Sequence, residues 1–221
     1  MTLQRTWEPC EADTLEQARD YDDLDRAAEV RQFVDDLLAL EGVRGDILEL
    51  GTRTALVAIE ICRRLEDCRV MAVDASTWML DLARLNIEIA GLIDRITLDH
   101  VDPCELPHPD EYFDIVLCNA LLHAVRDPRV VLRGVLRVAR PRGLFFFRDW
   151  ARPESEDALQ QVVDACAGGA GPQQRDLMAR SLRAALTLDE MRDMVQQLGF
   201  DSGTVQATGQ WHWTWTARKP L

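Results

Sequence analysis

Lysine is almost missing from this sequence: Lys219 stands alone. That excludes a P-loop, whose lysine must reach phosphate groups from inside its motif. It also leaves a Schiff-base enzyme without a placed amine. Tyrosine is nearly as scarce, and neither Tyr21 nor Tyr112 has a lysine four residues later, so the Tyr/Lys pair of short-chain dehydrogenases is absent. The six cysteines form no C-x-x-C pair. Several lie in apolar segments, where cysteine acts as a small hydrophobe. No zinc or other metal site is expected, and the cysteines read as those of a reducing, cytoplasmic protein. No apolar run approaches membrane-spanning length, and "MTLQRTWEPC" carries no apolar run behind its charges, so neither an anchor nor a secretory signal is expected. Positive charge is in deficit, with a net charge of -13. This disfavours nucleic acid and anionic membranes as partners, and a small molecule is the expected substrate.

What is present is an alternation. Apolar residues make up 47% of the 221-residue chain, enough for a sizeable core in one domain. Residues 14–40 place Leu24, Ala27, Ala28, Phe33, Val34, Leu37 and Leu38 at helical spacing. "DILEL" (46–50) reads as a strand and "TALVAIEICRRL" as a helix. "RVMAVD" (69–74) is a second strand, ending on an acid. Ser76 caps a helix that runs to Ala90, with Gly91 as its stop. "RITLDH" is a third strand, "PCELPHPDEY" a loop and "FDIVLCN" (113–119) a fourth strand. Asp127-Pro128 opens a helix that "RPRG" (140–143) ends, and "LFFFRDW" is a fifth strand. Strand and helix alternating over 46–150 give a parallel sheet covered on both faces. Helices follow over 154–185, broken near "GGAGP". "TLDE" (187–190) has the form of a capping box, and two strands, "GTVQA" and "GQWHWTWTA", come last.

In such a sheet ligands bind beyond the C-terminal strand ends. Glu49 and Gly51, Asp74, Asp102 and Asn119 stand there. Three acids on one rim oppose a phosphate-bearing ligand. They suit one with a ribose diol, an exocyclic amine and a positive charge. A dinucleotide would require G-x-G-x-x-G, but that register holds Gly51, Arg53 and Leu56.

The run from "ILELGTRTALVA" through "VDASTWMLDLAR" and "LPHPDEYFDIVLCNALLHAVRDP" to "LRVARPRGLFFFRDW" resembles the class I S-adenosylmethionine-dependent methyltransferases, and among them the small-molecule branch of ubiquinone and menaquinone biosynthesis. The resemblance covers roughly residues 20–217. It implies a Rossmann-like three-layer α/β sandwich with a seven-stranded, mostly parallel sheet of order 3-2-1-4-5-7-6 and an antiparallel last strand. It implies an N-terminal helical lid (1–41) before the methyltransferase-fold domain (42–221), with a helical cap at 150–186.

The resemblance also implies S-adenosyl-L-methionine as cofactor and in-line methyl transfer as the reaction. Glu49 then orients the cofactor's amino group, and Gly51, Thr52 and Arg53 form the turn under its methionine part. Asp74 accepts both ribose hydroxyls, and Ala75 and Met79 flank the adenine. Asp102 accepts from the adenine amine, with Val101 and Pro103 beside it, and Asn119 faces the methyl-sulfonium. His123 is a candidate general base, weighed against a structural histidine, and Asp149 is a candidate catalytic residue facing substrate, weighed against an Arg148–Asp149 pair. Tyr21, Asp22 and Arg148 are candidate substrate contacts. Trp211, Trp213 and Trp215 alternate along one strand face and read as core. "CNALLH" after the fourth strand lacks the Asn/Asp-Pro-Pro-Tyr motif of nucleic-acid amino methylation.

Arg53 replaces a family glycine. Its charge would attract the cofactor's carboxylate or repel its sulfonium, so the alternative expectation is a methyltransferase fold that has lost its cofactor and acts by interaction. The oligomeric state stays open, a homodimer being one option.

Overall fold

Short apolar runs become strands here because helices cover them on both faces. The computed structural model describes residues 3–7, 14, 16, 18 and 27–221. In chain order these form α1 (Ala27–Leu38), β1 (Gly45–Leu50), α2 (Leu56–Arg64), β2 (Cys68–Asp74), α3 (Thr77–Ala90), β3 (Ile96–His100) and β4 (Phe113–Asn119). There follow α4 (Pro128–Val138), β5 (Ala139–Trp150), α5 (Glu156–Ala167), α6 (Pro172–Ala184), α7 (Leu188–Gln197), β6 (Val205–Thr208) and β7 (His212–Arg218). The seven-stranded sheet has the order β3-β2-β1-β4-β5-β7-β6. β1 pairs in parallel with β2 and β4, β2 with β3, and the last pair, β6 with β7, is antiparallel.

The chain packs as two compact units. One comprises Glu11–Asn119, Val130–Phe146 and Arg218–Leu221; the other comprises Met1–Cys10, Ala120–Arg129 and Phe147–Ala217. The core of the first unit gathers Ile47 from β1, Val70 and Ala72 from β2, and Ile115 and Leu117 from β4, under Phe33, Val34 and Leu37 of α1. The Phe33 and Phe146 rings lie 4.9 Å apart. In the second unit Leu159, Val162, Val163 and Leu182 join α5 to α6, with Trp150, Trp211 and Leu3 against them. Trp213 and Trp215 are fully buried, and Trp215 touches the rings of Phe147 and Phe200. The tryptophan alternation is core packing.

Local signals act where the sequence places them. The Ser76 side chain accepts from Met79 N at the start of α3, and Gly91 closes that helix at φ 70°. Thr187 and Glu190 complete a reciprocal capping box on α7. The Asp127 carboxylate accepts from Arg129 N at 3.1 Å, before α4.

Two boundaries move. "RPRG" belongs to β5, not to the end of α4: Arg142 N donates to Lys219 O, Lys219 N donates to Gly143 O, and Arg142 takes φ 65° to keep the ladder beside Pro141. Ser202–Thr204 form a 3-10 turn ahead of β6, because the Asp201 carboxylate captures Gly203 N at 2.7 Å. Of the expected N-terminal helical segment, residues 15, 17 and 19–26, with Leu24, lie outside the described residues. Among the described residues no helix is long and apolar enough to cross a membrane.

Phe33 is 1% exposed at the centre of the α1 contact. Phe33→Ala removes a large ring from a filled core, so it should lower unfolding stability by about 3–5 kcal/mol, read as a shift in the urea midpoint at constant slope.

Candidate functional site

Strand register builds the rim. Leu50 lies opposite Val73 on one side and Cys118 on the other, and Asp74 lies opposite His100. The residues that follow these positions therefore leave the sheet at one edge. There Thr52 N donates to Val73 O at 3.0 Å, and Val101 N donates to Asp74 O at 3.0 Å, locking three adjacent strand ends together.

The turn after β1 holds three left-handed residues, Gly51 (φ 65°), Arg53 (φ 53°) and Ala55 (φ 64°). Only the first is a glycine. A left-handed non-glycine residue costs roughly 1–2 kcal/mol. Arg53 N donates to Asp74 Oδ2 at 2.8 Å, and a hydrogen bond to a charged acceptor contributes about 1.5–3 kcal/mol. The two terms are of one size, so the turn holds with arginine in it. Ala55 N closes back on Thr52 O at 2.9 Å, and Asn86 of α3 donates to Thr54 O at 3.1 Å.

Asp74 is the hub. Its second oxygen, Oδ1, accepts from Ser76 N at 2.9 Å. Each carboxylate oxygen has two lone pairs, so one on each remains for a vicinal diol. Ala75 follows, exposed, and Met79 lies buried under the first turn of α3. Asp102 is exposed between buried Val101 and Pro103, and its Oδ1 accepts from Cys104 N at 2.8 Å.

A cleft opens above the turn, lined by Glu49, Thr52, Arg53, Thr54 and Asn119, and by Glu29 of α1. Glu49 is 2% exposed, and Thr52 Oγ1 donates to its Oε2 at 2.8 Å. Burial, with Asp74 adding to it, pushes the Glu49 carboxyl up to about 8 against the Thr52 hydrogen bond and the backbone of Ala58. Glu49 is thus neutral at pH 7 until a cation approaches. The Thr54 hydroxyl is buried and has no hydrogen-bond partner among the described residues. Sequence reasoning missed Glu29 and Thr54: an acid on an amphipathic helix and a threonine beside a glycine turn carry no distinctive signal.

The second unit holds a different pair. His123 Nδ1 lies 2.7 Å from Asp149 Oδ1, and His123 N donates to Asp149 Oδ2 at 3.1 Å. Both residues are buried. Burial pushes the Asp149 carboxyl up, but the charge and hydrogen bonds of His123, with the amide of Trp150, outweigh it and hold the group below the usual carboxylate range. The carboxylate holds the Nδ1 side of the ring and orients the imidazole.

His123 sits in the 3-10 turn Leu122–Ala124, which the N-terminal segment pins. Trp7 Nε1 donates to Ala124 O at 2.9 Å, and Arg5 donates to Val125 O at 2.7 Å. Arg148 does not join the pair: strand alternation turns it to the other face, where its Nε donates to Thr214 Oγ1 at 3.0 Å. Tyr21 and Asp22 lie outside the described residues. Among the described residues no group of three His, Cys, Asp or Glu side chains could hold a metal ion.

The 3-2-1-4-5-7-6 sheet is the Rossmann-like fold of solved S-adenosylmethionine-dependent methyltransferases, and part of the chain is similar to them in sequence. Residues 48–147 match the family described as a methyltransferase domain. The ubiquinone/menaquinone biosynthesis C-methyltransferase UbiE of Vibrio vulnificus is 27% identical over 167 residues, 71% of this chain and 64% of that relative. The same enzyme of Pectobacterium carotovorum is 27% identical over 175 residues, 73% of this chain and 69% of that one. The chain thus spans about two thirds of the length of these relatives. A SAM-dependent methyltransferase of Aquifex aeolicus superposes with a TM-score of 0.70 at 18% identity, over 93% of this chain and 98% of its own. The [4+2]-cyclase SpnF superposes with a TM-score of 0.61 at 18% identity, over 99% and 87%. Likeness at this level is likeness of fold.

Glu49 carries a pH signature. Its folded value lies above its ordinary one, so its stabilising contribution is complete below about pH 4.5 and is lost as pH rises towards 8. Wild-type stability should therefore fall over this window relative to Glu49→Gln, by at most about 1.4 kcal/mol per pH unit, in urea titrations at pH 5, 6 and 7.

Proposed function

We propose that this chain transfers a methyl group from S-adenosyl-L-methionine to a small molecule. The observation that carries the reading is the Asp74 carboxylate, fixed at the end of β2 by two backbone amides with one lone pair per oxygen left open. When bound, the cofactor supplies a sulfonium-activated methyl group for in-line displacement by a substrate nucleophile.

The chain's own residues do the rest. Asp74 takes the ribose hydroxyls as a bidentate pair. Glu49, neutral in the free cleft, ionises beside the cofactor's ammonium and is oriented for it by Thr52. The unpartnered Thr54 hydroxyl and Asn119 offer further polar groups to the methionine part. Ala75 and Met79 flank the adenine, and Asp102, with Val101 and Pro103, meets its amine. His123 Nε2 accepts a proton from a substrate nucleophile that must lose one, while Asp149 stabilises the resulting imidazolium. Alignment of the reactants is the main source of rate, worth roughly 7–11 kcal/mol in well-oriented systems.

The relatives named for ubiquinone and menaquinone biosynthesis favour a small organic substrate, and the net charge of -13 argues against nucleic acid. The close but unbridged Cys62 and Cys68 are consistent with a cytoplasmic setting. Nothing in the loop geometry supports the alternative of lost cofactor binding, since Arg53 keeps the left-handed turn and its amide still reaches Asp74.

Calorimetric titration with S-adenosylhomocysteine tests the reading. Wild type should bind, and Asp74→Asn should bind about a hundredfold more weakly, about 2.8 kcal/mol. Equal affinity in the two proteins, or no heat from wild type at near-millimolar ligand, would remove the cofactor assignment.

A further inference from the structure

Cys62, in the last turn of α2, and Cys68, the first residue of β2, bring their sulfurs to 3.7 Å with both residues 3% exposed. Beside them lies Arg95, half-buried immediately before β3. Its Nη1 donates to Cys62 O at 2.7 Å, and its Nε and Nη2 reach Cys68 O at 3.3 and 3.1 Å. The Leu65 carbonyl completes the shell. Arg95 makes no ion pair with a carboxylate among the described residues. Its Nη2 instead lies 3.1 Å from Cys68 Sγ.

A guanidinium carries its charge at every accessible pH. One surrounded by neutral carbonyls makes any nearby sulfur its available anion. We infer that Cys62 and Cys68 are an oxidisable dithiol, with Cys68 the thiolate nucleophile held by Arg95 and Cys62 the resolving thiol, and that it takes hydrogen peroxide as its oxidant.

Electrostatics agree with the assignment. The hydrogen bond from the Cys62 thiol, followed by the Arg95 charge, lowers Cys68 despite burial and the neighbouring Asp67. The same hydrogen bond and burial raise Cys62. One sulfur is thus prepared as thiolate and the other as proton donor, which is the asymmetry that thiol oxidation requires.

The chemistry balances in two steps. The Cys68 thiolate attacks one peroxide oxygen, the O–O bond breaks, and the hydroxide that leaves takes a proton to become water; Cys68 becomes a sulfenic acid. The Cys62 sulfur then attacks Cys68 Sγ, the S–O bond breaks, and the hydroxyl leaves as water with the Cys62 proton. Two thiols lose two electrons, one peroxide gains them, and two waters form. Bridge formation closes the sulfurs from 3.7 Å to a bond of about 2.05 Å.

Trypsin separates the two cysteines by cutting after Arg53, Arg63, Arg64 and Arg69, so the product can be read directly. Reduced protein is exposed to one equivalent of peroxide at pH 7, alkylated, digested and mapped by mass spectrometry. The expected product is the peptide pair 54–63 and 65–69 joined with loss of two hydrogens. It should form at a rate independent of protein concentration and revert with dithiothreitol. In Cys62→Ser, dimedone should label Cys68, and Arg95→Gln should slow bridge formation about tenfold as the thiolate fraction falls. Recovery of both peptides singly alkylated while the exposed Cys166 is oxidised would overturn the inference. So would a dimedone label on Cys62 in Cys68→Ser that forms faster than the Cys68 label.

Discussion

The carboxylate of Asp74 ties the first two strand ends of the sheet into one rim. Oδ2 holds the amide of Arg53 from the turn after β1, and Oδ1 holds the amide of Ser76 at the head of α3. The first bond offsets the cost of the left-handed backbone at Arg53. Without the second, the chain would leave β2 in a different direction, and Ser76 would no longer meet Met79 N as a cap. The residue that meets the cofactor in the proposed reaction is therefore the one that shapes the turn beneath it. Structure and binding draw on different lone pairs of the same group.

Two buried acids show how environment divides one chemistry. Glu49 is enclosed with a single hydroxyl donor and a nearby like charge, and it is pushed up to about 8. Asp149 is equally buried, yet two backbone amides and an imidazole keep it ionised. Desolvation acts on both; the partners decide the outcome. The neutral acid can meet an incoming ammonium, and the ionised one can stabilise an imidazolium. These are the roles proposed for them.

Much of this was legible in the residues. The parallel sheet followed from alternation, its strand order from the resemblance, and the rim acids from where apolar runs end. The caps Ser76, Asp127 and Thr187 followed from local side-chain chemistry. Other features were not legible, for physical reasons. Glu29 reaches the cleft only through the docking of α1, a tertiary event. The sequence left open whether His123 had a partner and whether Asp149 would turn to Arg148. Pleating settles that choice by sending Arg148 to Thr214 on the opposite face. The start of β5 at Ala139 depends on hydrogen bonds to Lys219, far away in the chain. The Cys62–Cys68–Arg95 cluster joins three segments, and no spacing rule announces it.

If the turn is held by the Arg53 amide on Asp74, then replacing the side chain while keeping that amide should change little. The decisive measurement is the calorimetric affinity of Arg53→Gly for S-adenosylhomocysteine beside that of wild type. The two dissociation constants should lie within about threefold of each other, a difference below roughly 0.7 kcal/mol. Binding by Arg53→Gly with none by wild type would contradict this, and would show that the arginine blocks the site.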